Sequence, residues 1–414
     1  MRVLLVNTSE RVGGAAIAAS RLLRALNRNG VEATMLVRDK QTDNPRVCAL
    51  PESPMLKAKF VAERADIFVR NGLTKQNLFN IDTGRFGTDI TRLPEFQRAD
   101  VIHLHWVNQA MLSLQGLERI LRTGKRVVWT MHDMWPFTGV CHHAEECRGW
   151  TTGCGNCPLL NRKGAHDMSW QTFKKKAEVY GRHALTFVGC SNWLTDLARQ
   201  APLLKGQRVE SIPNPIDSAM FCPGDKREAR QRLGLPQDRL LMLFVAYKAT
   251  NPKKGIDYLR DAVGRMVAAD AALRDKAGVV VVGREAETLR DTFDLPLYPT
   301  EYVSDTATML DFYRAADVLV MPTLMDNLPN TIVEAMACGV PVVGFNVGGL
   351  PQMIDHGENG WLAPEKDSEA LAERLHATLT DGRLPQMGEA ARHKAVKSYS
   401  EQAVAERFMQ IYGP

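Results

Sequence analysis

Apolar and polar positions alternate in blocks along this chain. Residues 3–6 form a short unbroken apolar run, the pattern of a strand buried on both faces. Gly13 and Gly14 follow as a turn, residues 15–29 have a helical composition, and Gly30 ends that helix. Residues 33–37 supply the next strand, so the chain opens as a strand–helix–strand unit. Further apolar runs at 101–104, 126–130 and 185–190 are separated in part by helical patterns. That alternation predicts a parallel sheet with helices on both faces.

Residues 213–239 break the pattern. Pro213, Pro215, Pro223, Gly224 and Pro236 punctuate a polar, charged stretch, which reads as an inter-domain connection. The alternation then restarts, with strands expected at 240–246, 278–282, 318–321 and 340–344. The expected fold class is α/β, with two doubly wound, Rossmann-like domains facing a central cleft. The expected boundaries are 1–215, 216–395, and a terminal helical segment, 396–414, packing back on the first domain. Ligands of open α/β sheets bind at the carboxyl ends of the strands, so the cleft is where the chemistry is expected.

The segment 318–344 is the most informative. A strand ends at Met321, a short loop holds Asp326 and Asn327, and Pro329 suits a helix start. The helix runs to about Cys338, and Gly339 stops it. Helix starts expose N–H groups and carry partial positive charge, which suits a diphosphate. Asp326 precedes the helix and Glu334 lies within it. Carboxylates beside a phosphate site make sense if they accept hydrogen bonds from sugar and ribose hydroxyls. Taken as isolated carboxylates, a helix cap and a solvated helix residue are the plainer reading.

The run Glu334-Ala335-Met336-Ala337-Cys338-Gly339-Val340-Pro341-Val342 resembles retaining glycosyltransferase family 4, of the GT-B fold, as found in bacterial polysaccharide biosynthesis. In that family two glutamates stand eight positions apart, and Asp326 departs from the pattern as the shorter acid. The resemblance implies that Asp326 contacts the donor sugar and Glu334 the nucleotide ribose. It places Asn327, Leu328, Asn330 and Thr331 against the sugar or phosphate. Gly13-Gly14-Ala15 is similar to the family's N-terminal glycine loop, and Lys253-Lys254-Gly255 to its Lys-Gly element. Lys254 would then bind the diphosphate and steady the departing charge. Lys248 stands near the place of a second family cation. His132, in Trp129-Thr130-Met131-His132-Asp133, matches a histidine that contacts the donor sugar. The catalytic set implied is His132, Asp326 and Lys254, with a retaining outcome. Asp133 could orient the His132 ring, and His103 and His105 are candidates on the acceptor side.

Composition narrows this reading rather than changing it. The chain has 414 residues, 45% hydrophobic and 24% charged, with net charge +5. That balance does not point to nucleic acid. It suits an anionic substrate or an anionic membrane surface. No apolar run approaches the roughly 18 residues of a spanning helix, and the opening residues lack a signal-peptide pattern. The expected location is the cytoplasm, with docking at the inner membrane face. Lys57, Lys59, Arg64, Arg70 and Lys174-Lys175-Lys176 are the basic runs that could dock there, although a solvated face is the plainer reading. No Asp-x-Asp occurs, so no catalytic metal is expected. The expected partners are a nucleotide-diphosphate sugar and a saccharide or lipid-linked acceptor.

Four of the eight cysteines crowd together as Cys141, Cys147, Cys154 and Cys157. Four thiolates can build a closed structural zinc site. Free thiols and disulfides are the second and third readings. Two rivals have weaker support in the residues. A nicotinamide-binding loop would need the full G-x-G-x-x-G. A nucleotide-binding protein with a zinc-ribbon-like module would show steeply salt-dependent nucleic-acid binding.

Overall fold

The computed structural model describes residues 1–413. The chain folds as two compact units, Met1–Pro215 with the tail from Val404, and Ile216–Ala403.

The first unit is built on a parallel sheet of seven strands in the order β3-β2-β1-β4-β5-β6-β7. These are β1 (Arg2–Ser9), β2 (Glu32–Asp39), β3 (Val47–Ala49), β4 (Val101–Leu104), β5 (Arg126–Met131), β6 (Thr186–Gly189) and β7 (Arg208–Ser211). The period-two geometry of a strand sorts β1 between two cores. Leu4 and Val6 pack on one face, with Ile102, Leu104, Val127 and Trp129. Val3 and Leu5 pack on the other, with Leu22, Leu26, Val101 and Val128. The Gly14–Arg28 helix buries an alanine- and leucine-rich stripe against the second face, and its basic C-terminal turn ends at Asn29 and the left-handed Gly30. The Glu401–Tyr412 helix closes the same core with Val404, Ala405, Phe408, Ile411 and Tyr412, a helical spacing.

The second unit holds six parallel strands in the order β10-β9-β8-β11-β12-β13. They are β8 (Leu240–Lys248), β9 (Ala277–Arg284), β10 (Leu297–Thr300), β11 (Val318–Met321), β12 (Val342–Phe345) and β13 (Gly360–Ala363). Met242 and Phe244, Val279 and Val281, Val318 and Val320, and Val343 and Phe345 share one buried face.

Each order reverses once, between β1 and β4 in the first sheet and between β8 and β11 in the second. At such a switch point the loops leaving the two strands part to opposite faces and open a crevice at their carboxyl ends.

Two expectations need correction. Residues 213–239 are not all connection, because Lys226–Leu233 is a helix of the second unit. The Asp225 side chain accepts from the N–H groups of Arg227 and Glu228, and Gly234 ends the helix in left-handed geometry. Its buried anchor is Arg230, which pairs with Asp317 at 2.7 Å and donates to the Ala315 carbonyl at 3.0 Å. A buried arginine leaves no apolar stripe to read.

The basic runs are not one docking face. Lys176 is fully buried, donates to the carbonyls of Thr138 and Gly139, and lies 3.5 Å over the Trp135 ring. Arg64 is buried beside Glu63 and Asp82. Among the described residues no helix is long and apolar enough to cross a membrane.

Candidate functional site

The switch point of the second sheet brings together residues that stand far apart in sequence. The loop after β8 carries Pro252, Lys253 and Lys254 in one turn of 3-10 helix, and Gly255 starts the Ile256–Ala269 helix. The loop after β11 carries Thr323 to Pro329. Gly255 sits at φ +78°, and a Cβ built on it would overlap the carbonyl oxygen of Pro322. The two loops are therefore in backbone contact at this point. The Lys253 carbonyl accepts from the Leu324 N–H at 3.0 Å and the Thr323 hydroxyl at 3.1 Å. That contact aims Lys254 across the crevice, where its Nζ lies 2.7 Å from Asp326 Oδ2.

Asp326 is fixed from a second side. Its Oδ1 accepts from the Asn327 N–H at 3.1 Å. Its carbonyl accepts from the Gly349 N–H at 3.1 Å, and a Cβ on Gly348, at φ +54°, would strike that same carbonyl. Two glycine contacts thus set the acid and its lysine.

The Asn330–Ala337 helix starts beside this pair. Pro329 is its N-cap rather than its first helical residue, and it offers no side-chain cap. The first turn carries no acidic side chain. A proline cap suits a helix start whose N–H groups and partial positive charge remain for an anion. Thr331 Oγ1 is buried there without a partner among the described residues, and Asn327 and Leu328 are buried in the preceding loop. Glu334 is half-buried one turn further on, accepting from the Tyr313 hydroxyl at 2.6 Å.

Lys248 is placed elsewhere in its contacts. It pairs with Glu285 at 2.8 Å, and Thr250 bonds the same carboxylate. The structure therefore joins Lys254 to Asp326 and commits Lys248 to the end of β9.

In the first unit, Gly13 is at φ +92° with open space where a Cβ would stand, and Gly14 begins its helix. Three histidines line the ends of β4 and β5. His103 is fully engaged between the Tyr412 hydroxyl at 2.6 Å and the Thr130 hydroxyl at 2.7 Å. Its role is internal, which corrects its expected acceptor-side position. His105 stacks on His103 with ring centres 4.4 Å apart, and its Nδ1 lies 3.0 Å from His132 Nε2. His105 Nε2 is buried with no partner among the described residues. Burial lowers the pKa of His103 to about 3 and that of His132 to about 4, so both rings are neutral near pH 7.

His105 contacts the His132 ring, and the Asp133 carboxylate is engaged elsewhere. It accepts from Trp106 Nε1 at 2.9 Å, the Trp135 N–H at 2.8 Å and His142 Nδ1 at 2.7 Å. The other nitrogen of His142 reaches Asp82 at 3.0 Å. Burial opposes charge on this ring. The two carboxylates outweigh it and raise its pKa to about 10, so His142 is an imidazolium between two acids.

The cysteine lobe lies between β5 and the Met168–Tyr180 helix. Asp167 caps that helix and also accepts from the Cys157 N–H at 2.9 Å. None of the four cysteines is in a disulfide. Gly139 N–H points at Cys154 Sγ at 3.2 Å, and Gly149 N–H at Cys147 Sγ at 3.4 Å. Among the described residues no group of three or more Cys, His, Asp or Glu is placed to hold one metal ion.

Fold and site together describe a two-unit, nucleotide-binding-type α/β protein with a cation, a carboxylate and an open helix start at one switch point. The family model for glycosyltransferase family 4 matches residues 12–219, and that for glycosyl transferases group 1 matches residues 239–381. The chain belongs to glycosyltransferase family 4.

Among similar proteins, the D-inositol 3-phosphate glycosyltransferase of Thermobifida fusca is 36% identical over 200 residues, 45% of this chain and 46% of that protein. The protein of that name from Geodermatophilus obscurus is 35% identical over 207 residues, 47% and 45% of the two chains. The chain spans about half the length of these curated relatives. Among solved structures, sucrose-phosphate synthase from Thermosynechococcus elongatus superposes with a TM-score of 0.67 at 18% identity, covering 100% of this chain and 98% of that one. Anabaena HepE in complex with UDP-glucose gives 0.64 at 16%, covering 99% of each. These neighbours establish the GT-B fold class.

The loop contact at Gly255 gives a direct prediction. Gly255→Ala adds a methyl group where the Pro322 oxygen stands, at a φ that L side chains avoid. It should cost at least about 2 kcal/mol of stability in urea unfolding. A loss below about 0.5 kcal/mol would mean that the loops are not pressed together.

Proposed function

We propose that the chain is a retaining glycosyltransferase that moves a sugar from a nucleotide diphosphate to a hydroxyl of a saccharide or lipid-linked acceptor. The observation that carries this reading is the Lys254–Asp326 pair beside the uncapped start of the Asn330–Ala337 helix. HepE has been solved with UDP and with UDP-glucose, which supports a nucleotide-sugar donor here.

In this reading the diphosphate lies against the helix start and the Lys254 ammonium. An ammonium has three donors, so Lys254 can hold both Asp326 and a phosphate oxygen. When the bond between the sugar's anomeric carbon and the leaving phosphate oxygen breaks, the electron pair moves onto the diphosphate. Lys254 and the helix N–H groups are already aimed at that charge, so they stabilise it with little reorganisation. Asp326 accepts from sugar hydroxyls, and Glu334, steadied by Tyr313, accepts from the ribose. His132 is neutral and contacts the sugar as a hydrogen-bonding group. The acceptor hydroxyl attacks on the face the diphosphate leaves, and its proton passes to the leaving phosphate oxygen. The anomeric configuration is then retained.

The setting proposed is cell-surface polysaccharide synthesis at the inner face of the cytoplasmic membrane. The four cysteines are proposed as a structural zinc site. Support comes from the four-thiol donor set and the two N–H groups aimed at sulfur, and metal would have to draw the sulfurs together. Elemental analysis of purified protein should find about one zinc per chain; less than about 0.2 would exclude the site.

Glu334→Ala should raise the Kd for a bound nucleotide sugar about tenfold, the effect of one charged hydrogen bond. Unchanged donor affinity and turnover would remove Glu334 from the site. NMR of the product should show the donor's anomeric configuration, and an inverted product would rule out same-face displacement.

A further inference from the structure

The Pro54–Arg70 helix of the first unit has its faces reversed. Its buried side chains are Glu63, Arg64 and Ile67. Arg64 pairs there with Glu63 at 3.2 Å and with Asp82, and donates to the Leu78 carbonyl at 2.7 Å. The solvent face is the apolar one. Pro54, Ala58, Val61, Ala65 and Val69 are all exposed, and their spacing of three or four residues sets them in one stripe. We propose that this stripe docks on an anionic lipid bilayer, with the helix lying in the plane of the surface.

The apolar surface continues past the helix end. Gly72 is left-handed, and the Leu73 N–H turns back to the Phe68 carbonyl at 2.8 Å. Leu73 keeps an exposed side chain at φ +59°. Phe79 is exposed as well, and the Arg64 guanidinium carbon lies 5.8 Å from the centre of its ring, so the loop returns Phe79 to the side of the helix. Among the described residues seven large apolar side chains are more than half exposed. Five of them belong to this one segment: Met55, Val61, Val69, Leu73 and Phe79. Single exposed apolar residues are ordinary. A cluster of them marks a surface that something else covers.

Charge decides the occupant. Lys57 and Lys75 are exposed and Lys59 is half-buried, and none of the three makes an ion pair among the described residues. Of the three acids between 52 and 79, Glu63 pairs with Arg64, and Asp66 with Arg70 at 3.4 Å and Arg85 at 2.8 Å. That leaves Glu52 against three lysines. A second copy seated on the same stripe in a two-fold contact would set these lysines against their own images, where like charges repel. An anionic bilayer complements both features. Its acyl boundary takes the apolar stripe, and its headgroups take the lysines.

The inference rests on the membrane setting proposed above and not on the donor chemistry of the second unit. Co-sedimentation of the full chain with phosphatidylcholine vesicles, with and without phosphatidylglycerol, tests it. The wild type should bind the mixed vesicles at least tenfold more tightly than the neutral ones. Val61→Asp with Val69→Asp should weaken binding at least tenfold, with an unchanged melting temperature because both positions are exposed. Lys57→Gln with Lys59→Gln, a milder change, should remove most of the preference for phosphatidylglycerol, and an unchanged preference overturns the proposal. Equal binding by the wild type and the valine double variant overturns the surface and leaves the membrane setting standing. No binding of the wild type to either vesicle overturns both. Sedimentation velocity without lipid should find the same species for wild type and valine double variant; a wild-type dimer that this variant converts to monomer assigns the stripe to a second copy and overturns the proposal.

Discussion

Gly255 has no side chain, and the carbonyl oxygen of Pro322 stands where its Cβ would be. This backbone approach joins the loop after β8 to the loop after β11, the two strands between which the second sheet reverses. The placing of Lys254 against Asp326 depends on it. The Lys253 carbonyl is held by Thr323 and Leu324, Lys254 is thereby aimed at Asp326, and Asp326 is held from behind at Gly348 and Gly349. A lysine on a flexible stem has about 2 kcal/mol of rotamer entropy to lose on fixing. Losing part of that in the folded chain leaves less to lose when a ligand binds.

The first unit solves a different problem, which is how to stack ionisable groups in a buried place. Two solutions stand side by side. His103, His105 and His132 stay neutral because burial removes their charge; His103 bonds the Tyr412 and Thr130 hydroxyls, and His105 bonds His132 at the end of β5. His142 is charged because Asp82 and Asp133 flank it. Asp133 links the two, since it follows His132 in sequence and binds His142 in space. The imidazolium also fastens the cysteine lobe to the sheet, and the buried Lys176 amine, whose pKa burial lowers to about 7, bonds the carbonyls of Thr138 and Gly139 that lead into that lobe.

The strands that sequence shows clearly are the central ones. β1, β8, β9 and β11 are buried on both faces and read as unbroken apolar runs. The four strands that the pattern does not reveal are β3, β7, β10 and β13, which are the two edges of each sheet. An edge strand is half exposed and short, so its apolar signal is diluted. The Lys226–Leu233 helix is hidden for a related reason, because its anchor is Arg230. At the site, the motif around Glu334 and the Lys-Gly element are legible as segments. Their pairing is not, because Lys254 and Asp326 are brought together by backbone contacts at Gly255 and Gly348 that no single segment contains. Nor could Lys176 be told from its neighbours Lys174 and Lys175. Three identical letters hide one buried residue, and only the packing separates them.

The central claim is that Lys254, set across the switch point against Asp326, holds the diphosphate of the donor. Calorimetric titration of wild-type protein and Lys254→Ala with UDP and GDP, each set beside the corresponding monophosphate, tests it most directly. The account predicts that the better-bound diphosphate loses at least about tenfold in affinity in Lys254→Ala, one charge-assisted hydrogen bond's worth, while its monophosphate changes by less than about twofold. Equal affinity of wild type and variant for that diphosphate would contradict it.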